Sequence, residues 1–311
     1  MSLTKIIITP STKNHKVWND FNRQTAHPAN TTFFASLYSG VLSKPIFLEA
    51  YINNQKVSQW LFQEKRSKTF RKIFSSNCGP QILPQFLSHS DDIFHQYIEF
   101  LKRESAANIY IHNYALVRGI SQQALKISNF RNIYKFSYYL NSLSPQKDII
   151  DDFHSNHKTN TRKAIKDGCI YAKKINPLSY HQLSHAHYKR LKKNAPSLKT
   201  VLSICNTLVK NNKALLSGVY LNNQLNAASI VLFHGDNAYY LHGASSPIKH
   251  KGATAFLHYS NMKTLIEENV KNYDMGGAVI SEEQKEKAFN ITDFKRKFGG
   301  KYFEAYSGIY I

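Results

Sequence analysis

The string Tyr51-Ile52-Asn53-Asn54-Gln55 returns as Tyr220-Leu221-Asn222-Asn223-Gln224, 169 positions later. In both places the Asn pair divides two β-rich runs, 46–53 from 56–64 and 214–221 from 225–233. Asn tolerates positive φ, so each pair predicts a two-residue hairpin turn. The neighbours return in the same order. Cys78-Gly79-Pro80 is echoed by Ser245-Ser246-Pro247, the helical pattern 91–105 by 253–270, and the short strand 108–112 by 271–275. Tyr134-Lys135-Phe136 is echoed by Lys301-Tyr302-Phe303. Asn and Lys are abundant, so one shared pentapeptide could arise by chance. Ordered echoes at a nearly constant offset predict two copies of one α/β module.

A chain of 311 residues has room for two such modules, each with its own core, and its 42% hydrophobic content is that of a globular protein. No apolar run approaches the roughly 20 residues that span a bilayer. The Ile6-Ile7-Ile8 run is too short for a secretory signal and reads as a first strand. Cys78, Cys169 and Cys205 lie far apart and form no CxxC pair. Disulfides and structural zinc are therefore not expected, and a cytoplasmic location is. His181, His185 and His187 lack a further well-spaced ligand, so no metal is expected. Net charge is +21, spread evenly: residues 1–150 carry 18 basic and 8 acidic side chains, and 151–311 carry 23 and 12. This field favours nucleic acid, phosphorylated cofactors or peripheral contact with an anionic membrane surface. AT-rich codon use would produce the same Lys- and Asn-rich composition.

The pattern divides the chain into a module over 1–145, a linker helix over 146–168 and a second module over 169–311. Gly168 suits the linker's end. Asp91 and Asp92 read as first-turn helix residues rather than a catalytic pair. Each module reads as strand, two helices, three antiparallel strands, helix, strand, helix and closing strand.

Three segments resemble FemAB-type transferases and their relatives in the GNAT superfamily. Tyr273-Asp274-Met275-Gly276-Gly277 followed by Ile291-Thr292-Asp293-Phe294-Lys295-Arg296-Lys297-Phe298-Gly299-Gly300 resembles the C-terminal part of that family. Asn160-Thr161-Arg162-Lys163-Ala164-Ile165-Lys166-Asp167-Gly168 is similar to the family's helix end between its two domains. Ser75-Ser76-Asn77-Cys78-Gly79-Pro80 is similar to its Gly-Gly-Pro loop, with Cys78 at the first Gly. The resemblance implies an α/β fold of tandem GNAT-like modules, each a mixed sheet flanked by helices. It implies an N-acyltransferase whose C-terminal module holds the donor and whose N-terminal module shapes the acceptor side.

Lys249-His250-Lys251-Gly252-Ala253-Thr254 follows a strand and opens a helix. Helix-start N–H groups bind phosphates, and GNAT enzymes hold coenzyme A with a related loop here. Lys249, Lys251, Gly252, Ala253 and Thr254 are thus the candidate donor site, or else an ordinary polar loop. Phe294 and Phe298 at i, i+4 would anchor a short helix and leave Lys295, partly exposed, to reach a cleft as oxyanion donor; otherwise Lys295 is a solvated lysine. Phe294 would also line the substrate site. Asp274 either accepts the amine proton or orients the acceptor, or else holds a turn. Tyr239 and Tyr240 are adjacent on a strand, so only one can face the cleft, to bind acceptor or to protonate the leaving thiolate; core packing is the alternative for either. Arg162 is a candidate phosphate ligand for the acceptor or a surface residue.

The resulting expectation is acyl transfer from acyl-CoA as co-substrate to an amine on a cell-envelope precursor, such as an amino sugar, a nucleotide-linked glycan or a peptide. A second reading replaces the donor by aminoacyl-tRNA and extends a peptidoglycan precursor peptide. A third, non-catalytic nucleic-acid binding, needs base-reading motifs that the sequence does not present.

Overall fold

The computed structural model describes residues 5–11, 15–21, 23, 27–38, 43–66, 72–104, 106–112, 120–248, 250–279 and 285–311. The chain divides into two units: Met1–Tyr138 with Gly277–Phe289 and Phe303–Ile311, and Tyr139–Gly276 with Asn290–Tyr302.

Unit 1 opens with β1 (Ile6–Pro10), α1 (His15–Asp20) and α2 (Thr32–Ala35). There follow β2 (Ser43–Ile52), β3 (Gln55–Arg66), β4 (Lys72–Ser76), β5 (Gln81–Ile82), α3 (Ser90–Arg103), β6 (Ala106–Ile111) and α4 (Gln122–Ile127). β1, β2, β3 and β4 are successively antiparallel, and β4 runs parallel to β6. One face packs α3 through Ile93, Phe94, Tyr97, Ile98 and Leu101 onto Trp60, Phe62, Phe74 and Ile109. Asp91 and Asp92 do sit in the first turn of α3.

β7 (Asn132–Ser142) passes from unit 1 into unit 2. Next come α5 (Ser155–Lys166), β8 (Ile170–Ala172), α6 (Pro177–Arg190), α7 (Leu198–Ile204), β9 (Ala214–Leu221), β10 (Gln224–His234) and β11 (Asn237–Ser245). α8 (Ala253–Glu267), β12 (Asn272–Val279), α9 (Lys285–Arg296) and β13 (Lys301–Tyr310) complete the chain. β8 to β11 are again antiparallel neighbours, and β11 runs parallel to β12.

The duplication is borne out in detail. Asn53 and Asn54 have φ of 50° and 63°, and Asn222 and Asn223 have 49° and 60°. Both pairs are left-handed hairpin turns, joining β2 to β3 and β9 to β10. Each hairpin also shifts register two residues past its Gln, at Val57 in one and Asn226 in the other. A bulge kept at the same place is a property of the module, because it re-aims every side chain beyond it.

One element is shorter than the sequence predicts. The linker helix begins only at Ser155, behind a short turn at Ile149–Asp152 capped by Asp148. Its end is as expected, with Gly168 at φ +83°. Ile149, Ile150 and Phe153 are buried in the core of unit 2, so packing overrides helix propensity there.

Substituting Asn222→Val should cost about 1–2 kcal/mol, since a β-branched residue resists φ > 0, while Asn222→Gly should be near neutral. Chemical denaturation of both variants checks this. Equal midpoints would mean that the turn is not held left-handed in solution.

Candidate active site

In unit 2 the parallel strands β11 and β12 pair over only part of their length. The ladder of β11 with β12 covers only Asn237–Tyr239 against Asn272–Asp274, while β11 continues to Ser245 and β12 to Val279. β11 bulges against β10 between Tyr240 and His242, opposite Val231 and Ile230. In α/β sheets, ligands bind at the carboxyl ends of such strands.

Where the ladder ends, the chain folds around Gly276. This residue has φ +73°, a conformation that favours glycine. Asp274 Oδ1 accepts the Gly276 N–H at 2.7 Å, and Lys295 Nζ donates to the Gly276 carbonyl at 2.8 Å. The structure thus gives Asp274 the turn-holding role, with its side chain fully buried. Lys295 is only 8% exposed, not partly exposed as the motif predicts. The reason is that Phe294 and Phe298 flank it and turn that face of α9 inward: Phe298 is buried, and Phe294 is half-buried against it at 5.2 Å between ring centres. Burial lowers the Lys295 pKa from its ordinary 10.5 to about 8, and the neighbouring Asp274 opposes the shift.

Tyr239 pairs with Asp274 across the ladder, and its ring edge lies 3.6 Å from where a Gly276 side chain would begin. Tyr240 takes the other face. Its ring packs on His258 at 4.9 Å, and its hydroxyl occupies the space that a side chain at Gly243 would need. Burial raises the Tyr240 pKa, so the phenol stays protonated. Lys295, Asp274 and Tyr239 thus meet at Gly276, while Tyr240 and Phe294 pack against His258.

Sequence reasoning missed the two histidines beneath them. His258 Nδ1 lies 3.0 Å from the Tyr273 hydroxyl, and burial pushes its pKa down to about 3. His157 Nε2 donates to the Phe294 carbonyl at 3.0 Å, and burial takes it to about 4. Both are neutral at ordinary pH. No spacing signal marks His258, because α8 is buried on nearly every side.

The second part of the site is the start of α8. Gly252 is its N-cap, and among the described residues no side chain caps the helix. Thr254 Oγ1 is buried without a hydrogen-bond partner among the described residues. Ala253 is buried and Lys251 exposed. Lys249 lies outside the described residues. The absence of a side chain at Gly252 has a cause in the protein itself: a Cβ there would lie 2.0 Å from the Asn160 carbonyl oxygen of α5. Arg162, further along α5, is exposed. An uncapped helix start with an orphan hydroxyl and a cation suits an oxygen-rich anion, so these residues fit the phosphates of a coenzyme A-type donor.

With this geometry in place, the comparisons are informative. Residues 180–296 match the acetyltransferase (GNAT) domain family. No curated protein sequence matches the chain. Among solved structures, FemX superposes with a TM-score of 0.75 at 13% identity, covering 96% of each chain. A tandem GNAT protein from the clavulanic acid biosynthesis pathway gives 0.58 at 9% identity, over 98% of this chain and 97% of that one. The C-terminal domain of a chain named as a lysylphosphatidylglycerol synthetase, from Agrobacterium fabrum, gives 0.54 at 14% identity over 80% of each. The fold is that of tandem GNAT proteins of the FemAB type, and the protein is an acyltransferase in class.

The buried lysine makes a measurable prediction. Its folded pKa lies below its unfolded one, so the unfolded chain holds the proton between pH 8 and 10.5. Stability should rise with pH through that window and be lost as pH falls back toward 8. Relative to Lys295→Met, the wild type should gain up to about 3 kcal/mol of unfolding free energy across it. A pH-independent difference would show that the ammonium is not desolvated in the fold.

Proposed function

We propose that the protein transfers an acyl group from acyl-CoA to an amine on a cell-envelope precursor, with the donor held by unit 2. The observation that carries this reading is the short β11–β12 ladder, whose first strand leads through Lys251 into the uncapped start of α8. The duplicated module supplies a contrast. α3, the counterpart of α8, has Asp91 and Asp92 in its first turn, whereas α8 has no acidic residue there. Two carboxylates satisfy the positive end of α3 and repel phosphate; the first turn of α8 carries none of its own, and the neighbouring Asp167 carboxylate is taken up by His250.

The thioester supplies an activated acyl carbonyl; the acceptor nitrogen bonds to its carbon, and the carbon–sulfur bond breaks. Lys251, Thr254 and the N–H groups that open α8 hold the donor phosphates. Lys295, charged at neutral pH, supplies positive charge beside Gly276 as the carbonyl oxygen becomes negative. Tyr240, kept protonated by burial, gives the leaving sulfur its proton and recovers one from the acceptor nitrogen, which loses a proton as the amide forms. Arg162 binds a phosphate of the acceptor from the surface of α5.

A second reading keeps the fold and uses aminoacyl-tRNA. It is favoured by the likeness to FemX and to the Agrobacterium fabrum domain, whose name joins a lysyl group to phosphatidylglycerol.

Calorimetric titration with coenzyme A and, separately, with charged tRNA separates the two. The expected result is binding of coenzyme A, weakened about tenfold or more by Lys251→Glu. Binding of charged tRNA without response to coenzyme A would move the assignment to the second reading.

For catalysis, Lys295→Met should lower turnover roughly a hundredfold with little change in donor affinity. Lys297→Ala, which removes only a half-exposed partner of Asp293, is the control. Equal turnover in the two variants would remove Lys295 from the chemistry.

A further inference from the structure

We infer that His250 and Asp167 form a latch that sets the donor loop, making His250 a positioning residue for donor binding. This rests on the assignment of the Lys251–Thr254 segment to the donor phosphates. The segment between β11 and α8 is pinned from below by Asn226 of β10. The Asn226 carbonyl accepts the Ser246 N–H at 2.9 Å, and its Oδ1 accepts the His250 N–H at 2.7 Å. Above this anchor the His250 ring works in two directions. Nδ1 accepts the Gly252 N–H at 3.1 Å, and Nε2 meets Asp167 Oδ2 at 2.9 Å.

These contacts fix the tautomer. A ring nitrogen that accepts from an amide carries no proton, so the proton sits on Nε2 and is donated to the carboxylate. Asp167 is the C-cap of α5, held by the turn at Gly168. The latch therefore ties the entrance of α8 to the exit of α5. The same two helices meet at Gly252, where only glycine clears the Asn160 carbonyl. His250 also takes up the Gly252 N–H and, through its own carbonyl, the Ala253 N–H at 3.0 Å. The next N–H groups of the opening turn, those of Thr254 and Ala255, are then the ones presented to a ligand.

A stabilising role alone does not account for the arrangement. The His250 and Asp167 side chains are 12% and 37% exposed, and a pair this close to water adds little to stability. What it does constrain is the direction of the loop, to which phosphate binding is sensitive.

The test is titration with coenzyme A, together with thermal unfolding, of the wild type, His250→Ala, His250→Asn, Asp167→Ala and the His250→Ala/Asp167→Ala double variant. His250→Ala should weaken coenzyme A about tenfold, the effect of one or two positioned hydrogen bonds. Asparagine at 250 can still accept the Gly252 N–H but cannot reach Asp167. It should therefore match Asp167→Ala, with a smaller loss. The double variant should be no worse than His250→Ala, because both changes break one latch. Unfolding temperatures should stay within a few degrees of one another. Wild-type affinity in His250→Ala and Asp167→Ala, or additive losses in the double variant, would overturn the latch and leave the donor assignment standing. Failure of the wild type to bind coenzyme A would overturn the donor assignment and the latch with it.

Discussion

The hydrogen bond from Lys295 to the Gly276 carbonyl joins the last helix of unit 2 to the end of its parallel ladder. A lysine is costly to bury, and its depressed pKa is the signature of that cost. The arrangement persists because the partners are fixed beforehand. Asp274 holds the Gly276 N–H, and Gly276 takes a conformation closed to most residues. Phe294 and Phe298 bring Lys295 in along α9, and the neutral His157 and His258 pack against their rings. Removing the lysine while leaving Asp274 in place would strand a buried carboxylate. That is why a test of catalysis has to be read beside a test of stability.

α8 meets a different constraint. It is buried on almost all sides, so its polar residues must find partners inside the protein. Asn261 does so by bonding Ser229 through its amide and accepting from Ser217 and Tyr171 through its oxygen. His258 does so with Tyr273. These bonds fix the helix against the sheet along its length. Its N-terminus is therefore held at the strand ends as a rigid element, which is what a binding site for a charged ligand needs.

The two copies show how one module takes on two electrostatic characters without changing topology. Both have the Asn-Asn hairpin, the bulge after it and a parallel strand pair with a helix between. They differ where the crossover helix starts. Ser121 donates to Asp91 in unit 1, so that carboxylate is fixed in place. The change from carboxylates to lysine at a helix start alters the sign of the local field, while the core beneath stays hydrophobic in both.

Much of this was legible in the sequence. The Asn pairs predict their own turns because positive φ is a local property of the residue. The repeat predicts the topology because a module that returns in order must fold in the same order. The Tyr-Asp-apolar-Gly and Phe-Lys-x-x-Phe-Gly segments pointed to the residues that meet at Gly276. The tertiary structure alone decided three things. Lys295 is buried, because the inward face of α9 depends on what the phenylalanines pack against. Gly252 is a glycine because of Asn160, almost a hundred positions earlier, and no local pattern carries that clash. The last strand pairs through Gly308–Tyr310 with β6 in unit 1, because strand partners are chosen by the sheet and not by the strand.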